Sequence, residues 1–237
     1  MRIKKDEALL LANCCLLTYT QYDKKGEFTP PKGFKVVDTF KADVFGSKEW
    51  FGFIIESLDS IIVAFRGTVS DPDWIADADI IEHPFPYSTN KSLVHGGFLS
   101  IYESCRDQLL SKLSSLSAQK QLYVTGHSLG AALAVLHAMD IYENTDFKEL
   151  TLFTLAGPRV GNGEFASLYN RKIKNSIRFV NANDIIPMLP PKRIYNPLTE
   201  KYSSYRHVKK QVSFSHQTGT LRGNHSIYTY IKGLEEL

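Results

Sequence analysis

The sequence predicts an α/β protein with a mostly parallel sheet and helices on both faces. Three observations carry that prediction. From about residue 60 to residue 180, short apolar runs of strand length alternate with helix-period segments. The run Ile61-Ile62-Val63-Ala64-Phe65 is apolar at every position, as a strand buried on both faces requires. Gly126-His127-Ser128-Leu129-Gly130 then joins the strand-like Leu122-Tyr123-Val124 directly to the Ala-rich stretch from Ala131 to Leu136.

The elements follow in order. Residues 1 to about 20 read as a buried helix, and residues 23–33, with Pro30-Pro31, as turns. Strands are expected over residues 34–40, 50–57 and 60–65, with antiparallel pairing at this N-terminal edge. Helical spacing covers residues 101–116, 129–142 and 164–173, and strands are expected at 121–125, 150–155 and 177–180. Residues 205–214 alternate like a strand, and 227–234 read as a closing helix. No repeat, low-complexity tract or linker divides the chain, so residues 1–237 are read as one domain.

Composition narrows the function classes. With 43% hydrophobic and 22% charged residues the chain is globular rather than disordered. A net charge of +3, with no long Lys/Arg run, gives no footprint for nucleic acid. No stretch reaches the ~20 apolar residues needed to span a bilayer. Cys14, Cys15 and Cys105 read as small buried hydrophobes. A leader-like start is interrupted by Asp6, Glu7 and Asn13 and lacks a cleavage site, so a cytoplasmic location is expected, with secretion as the alternative.

The chemistry centres on the G-x-S-x-G segment. A serine on a sharp strand-to-helix turn, with a glycine two residues away on each side, is the nucleophile elbow of α/β-hydrolase-type folds. Its hydroxyl stands above the sheet, and the Leu129 N–H at the helix start can donate to an oxyanion. A serine hydroxyl needs a histidine to take its proton and a carboxylate to orient that histidine, in the chain order Ser, Asp or Glu, His. Asp184, in a loop just beyond the strand ending at Val180, suits the carboxylate better than Asp140 or Asp146. His225, opening the last helix, suits the base, with His216 second and His207 expected on an exposed strand. His127 reads as a packing or hydrogen-bonding residue beside the nucleophile. His83, His95 and His137 have no metal-ligand spacing, and no metal or cofactor is implied.

Four segments resemble the class 3 lipases, the fungal-type lipase family. They are Phe65-Arg66-Gly67-Thr68, Val94-His95-Gly96-Gly97-Phe98, the elbow, and Gly157-Pro158-Arg159-Val160-Gly161-Asn162. Asn181-x-x-Asp184 with Pro187, and His225-x-x-Tyr228, extend the resemblance in the right order. It implies a triad of Ser128, Asp184 and His225, a second oxyanion donor at Thr68 beside Leu129, and a structural role for His95.

Between Thr68 and Val94, Asp71-Pro72 has the form of a helix start, and Trp74, Ala78 and Ile81 share one helical face that Ile75 broadens. The resemblance makes residues from about 69 to 83 a lid that opens at a lipid–water interface. The implied reaction is hydrolysis of long-chain fatty-acyl esters, of the triacylglycerol lipase type, through an acyl-enzyme. A phospholipase A1, a short-chain or feruloyl-type carboxylesterase, or a non-catalytic binding module are the other readings. The implied partners are an ester substrate and its lipid interface, with no nucleic acid and no obligate protein partner.

Overall fold

A computed structural model describes residues 3–44, 46–68, 80–88, 92–196 and 200–236. The expected lid positions Trp74, Ile75 and Ala78 lie outside them.

The first helix, α1 (Lys5–Asp23), precedes three antiparallel strands, β1 (Lys35–Val44), β2 (Ser47–Glu56) and β3 (Ser60–Phe65). Two short strands, β4 (Glu82–Pro84) and β5 (Leu93–His95), pair with each other beside α2 (Gly96–Ser114). Then come β6 (Gln121–His127), α3 (Leu129–Asn144), β7 (Leu150–Leu155), α4 (Gly163–Lys172) and β8 (Asn175–Asn181). A hairpin of β9 (Arg193–Asn196) and β10 (Lys201–Ser204), strand β11 (Gln211–Phe214) and helices α5 (Leu221–His225) and α6 (Ile227–Glu235) complete the chain. The main sheet runs β1-β2-β3-β6-β7-β8-β11, and every pair from β3 to β11 is parallel. The expected parallel sheet with an antiparallel N-terminal edge is therefore present.

The period-2 geometry of a strand explains why β3 is apolar throughout. Ile61, Val63 and Phe65 enter the core under α2 and α3, while Ile62 and Ala64 enter the core under α1 and α6. β7 is buried along its whole length for the same reason. α3 is buried continuously from Leu129 to Ile141, and its alanines let it lie close on the sheet.

Three expectations are corrected. Residues 205–210 lie outside the last strand, because the Tyr205 and Arg206 N–H groups bond to the carbonyls of Lys192 and Gly161, and backbone bonding to β8 begins only at Lys210. His207 is not exposed on a strand but half-buried, its Nε2 2.6 Å from the Pro187 carbonyl oxygen. Ile81, expected on the lid helix, sits at a bend just before β4, since pairing with β5 draws the following residues into extended backbone. It is 42% exposed, and its carbonyl accepts from the Gly96 N–H at 3.0 Å.

A buried polar cluster locks α2 to α3. Asp140 accepts from Arg106 Nε and the Tyr102 hydroxyl, both at 2.6 Å, and the same hydroxyl lies 3.1 Å from His137 Nδ1. Burial, with help from Arg106 and against the pull of Asp140, lowers the His137 pKa to about 4. The native state therefore refuses a proton that the unfolded chain accepts below about pH 6.5. Stability is fully present above that value and declines as pH falls from about 6.5 towards about 4. Melting temperatures by circular dichroism should drop across this window, and His137→Leu should make the drop shallower, since burial also depresses His127 and His207. An unchanged slope in the variant would remove His137 as its source.

Candidate active site

The elbow follows from packing that leaves no room for side chains around it. A Cβ on Gly126 would enter the backbone of Gly130, and one on Gly130 would enter the carbonyls of Phe65 and Arg66. The chain can therefore pass from β6 into α3 beside the end of β3 only with glycine at both positions. Between them Ser128 takes φ 58° and ψ −125°, outside the ordinary regions for a residue with a side chain. Its amide is tied to the Leu155 carbonyl on β7 at 3.0 Å.

Ser128 Oγ lies 2.8 Å from His225 Nε2, and His225 Nδ1 lies 2.8 Å from Asp184 Oδ2. The Asp184 side chain is fully buried, whereas His225 retains 12% exposure at the mouth of the site. A buried carboxylate needs its lone pairs met. Oδ2 also accepts from the Tyr230 hydroxyl at 2.7 Å, and Oδ1 accepts from the Ile186 N–H at 3.0 Å. With that environment Nδ1 carries the proton towards Asp184, and Nε2 is left to accept from the serine hydroxyl.

The loops carrying these groups are pinned by two asparagines. Asn181, at the tip of β8, donates to the carbonyls of His216 and Asn224 at 2.9 and 3.0 Å and accepts from the His216 N–H at 3.0 Å. Asn224 donates to the Asn183 carbonyl at 3.1 Å and accepts from the Thr218 N–H at 2.8 Å. His216 thus contributes its backbone to the clamp and is not the ring that meets Asp184. Asp140, one of the two other carboxylates weighed from sequence, belongs to the α2–α3 cluster.

Leu129 is the first residue of α3, where a helix N–H has no intrahelical acceptor. Arg66-Gly67-Thr68 runs on from β3 past the elbow, and the Gly67 Cα position faces Ser128 Cβ and the His127 carbonyl. Arg66 is buried against the Tyr22 ring and paired with Glu49 at 2.6 Å. His95 caps α2, its ring stacked on Phe98 with centroids 4.0 Å apart.

Sequence reading did not foresee Tyr230 or Asn224 as parts of this assembly, and it quoted Asn181 in a motif without giving it a role. Tyr228, quoted in the resemblance, is 67% exposed, while Tyr230 is the tyrosine that reaches Asp184. The signal was α6 itself: positions 227, 230 and 234 share its buried face, and only one of them carries a hydroxyl.

A mostly parallel sheet with a nucleophile elbow and a hydrogen-bonded Ser–His–Asp array defines an α/β-hydrolase. The sequence model of "Lipase (class 3)" matches residues 62–194, more than half of the chain. The protein belongs to the class 3 lipase family. It is 37% identical over 134 residues to the secreted mono- and diacylglycerol lipase A of Penicillium cyclopium, covering 55% of this chain and 43% of that one. It is 33% identical over 190 residues to phospholipase A1-II 6 of Oryza sativa subsp. japonica, covering 62% of this chain and 46% of that one. The crystal structure of the lipase from Rhizopus microsporus var. chinensis superposes with a TM-score of 0.72 at 26% identity, over 88% of this chain and 74% of that one. The chain spans under half the length of these two curated relatives.

Proposed function

We propose that the chain is a serine carboxylester hydrolase acting on fatty-acyl esters of glycerol, of the triacylglycerol lipase type. The observation that carries this reading is the unbroken contact from Ser128 Oγ through His225 to Asp184, 2.8 Å at each step. In the proposed cycle Ser128 Oγ attacks the ester carbonyl as its proton passes to His225 Nε2. The carbonyl oxygen becomes an oxyanion held by the Leu129 N–H and by Thr68, each donor being worth about 3 kcal/mol of barrier. Collapse breaks the bond to the alcohol oxygen, which leaves with the proton from His225. Water, deprotonated by His225, then attacks the acyl-serine, releases the fatty acid and restores Ser128. Asp184 holds the His225 tautomer and stabilises the imidazolium throughout.

The match to the rice phospholipase A1 supports a second reading, in which the same machinery removes one acyl chain from a phospholipid. Fatty-acid release from emulsified triolein and from phosphatidylcholine vesicles, beside a p-nitrophenyl ester series from C2 to C16, tests both. The first reading expects triolein turnover to exceed phospholipid turnover and activity to rise with chain length. Preferred hydrolysis of phosphatidylcholine would favour the second, and activity confined to the shortest esters would make the protein an esterase.

A further inference from the structure

The triad histidine is held by its main chain as well as by its ring. His127 Nε2 lies 2.9 Å from the His225 carbonyl oxygen, and His127 Nδ1 lies 2.8 Å from the Tyr19 hydroxyl on α1. A carbonyl can only accept, so Nε2 carries the His127 proton. The ring is 3% exposed, and burial beside His225 lowers its pKa well below the ordinary histidine value. A neutral ring has one N–H, so Nδ1 is bare and must accept from Tyr19. Burial raises the Tyr19 phenol, which keeps that donor protonated.

Tyr19 also meets the other side of the site. A Cβ on Gly67 would strike the Tyr19 oxygen first, then the His127 carbonyl at 2.8 Å and Ser128 Cβ at 3.0 Å. Gly67 precedes Thr68, the proposed oxyanion donor. One phenol on the first helix therefore abuts both the oxyanion segment and, through one ring, the segment that delivers the base.

Resting on the hydrolase reading above, we propose that Tyr19 and His127 form a positioning pair that holds the His225 main chain and the 66–68 segment in register with Ser128. Neither touches the reacting atoms in this scheme. Two features make the pair specific rather than filler. The donor–acceptor order is forced at both ends of His127. The neutral ring also lies tilted beside His225, with centroids 4.8 Å apart at 35°, where a second positive charge would oppose formation of the imidazolium.

The test is a double-mutant cycle of Tyr19→Phe, His127→Phe and their combination. It is read on soluble p-nitrophenyl butyrate and on the downfield proton NMR signal of His225 Nδ1–H. Each single change should lower kcat by about ten- to a hundredfold with KM within about twofold, as small misplacements of reacting groups do. The double variant should be no worse than the poorer single, because the two act through one relay. His127→Gln, which keeps an N–H donor for the His225 carbonyl, should recover part of the loss. The NMR signal should move in Tyr19→Phe, although Tyr19 does not touch His225. Losses that multiply in the double variant would overturn the proposal, as would unchanged kcat with only a lower melting temperature. If the wild-type protein hydrolyses no ester, the hydrolase reading fails, and the NMR signal still decides the pair: a shift in Tyr19→Phe supports it and no shift overturns it.

Discussion

Ser128→Ala should reduce ester turnover by about 10⁴-fold or more while leaving the fold intact. The hydroxyl is the only group of the residue that meets His225, and alanine keeps the Cβ that packs at the elbow. The unusual φ of 58° is imposed by β6, α3 and the end of β3, so the methyl side chain is held as the serine was. The residual rate should be that of an oxyanion site without a nucleophile. Single-turnover kinetics with p-nitrophenyl butyrate should lose the fast release of p-nitrophenol that accompanies acyl-enzyme formation, and the melting temperature should stay within a few degrees. A variant retaining even about a tenth of wild-type turnover would remove Ser128 as nucleophile.

Asp184→Asn should cost about 10³- to 10⁴-fold in kcat with little change in KM, as loss of the correct tautomer does in serine proteases. The reason is the hydrogen-bond pattern around the carboxylate. Its two oxygens face three donors: the His225 and Tyr230 protons at Oδ2 and the Ile186 N–H at Oδ1. An asparagine has one oxygen. If that oxygen stays with Ile186, the amide NH₂ confronts His225 Nδ1, which must surrender its proton and move it to Nε2. His225 then has no lone pair for the Ser128 hydroxyl. If the amide flips, two N–H donors meet head-on in a buried pocket, which costs about 1–3 kcal/mol. The tautomer shift should show as loss of the downfield proton signal. Less than about a tenfold fall in kcat would demote Asp184 to a structural role.

Much of the assembly was legible because its rules are local. The elbow declares itself through two glycines that backbone contacts require, and the parallel strands through apolar runs such as residues 61–65 and 150–155. Asp184 and His225 could be placed because a loop at a strand tip and the start of a late helix are positions that chain order alone identifies. What sequence could not show is side-chain reach across large separations. Tyr230 finds Asp184 over 46 residues and Tyr19 finds His127 over 108; helix periodicity puts Tyr230 on the buried face of α6 but names neither partner. His207 was misread for the complementary reason: its basic neighbours Arg206, Lys209 and Lys210 suggested an exposed strand. In the fold that segment is irregular backbone between the β9–β10 hairpin and β11, and it turns the ring against the Pro187 carbonyl.

The wide spacing of the hydrogen-bonded array has a consequence for how the molecule acquires activity. Ser128 and His225 are 97 positions apart, and His225 reaches Asp184 across 41. Contacts of such high sequence separation carry a loop-closure cost that other interactions must offset. On the proposed function, the array is complete only when the segments carrying residues 128, 184 and 225 have all docked, so a partly folded chain holds the serine without its base.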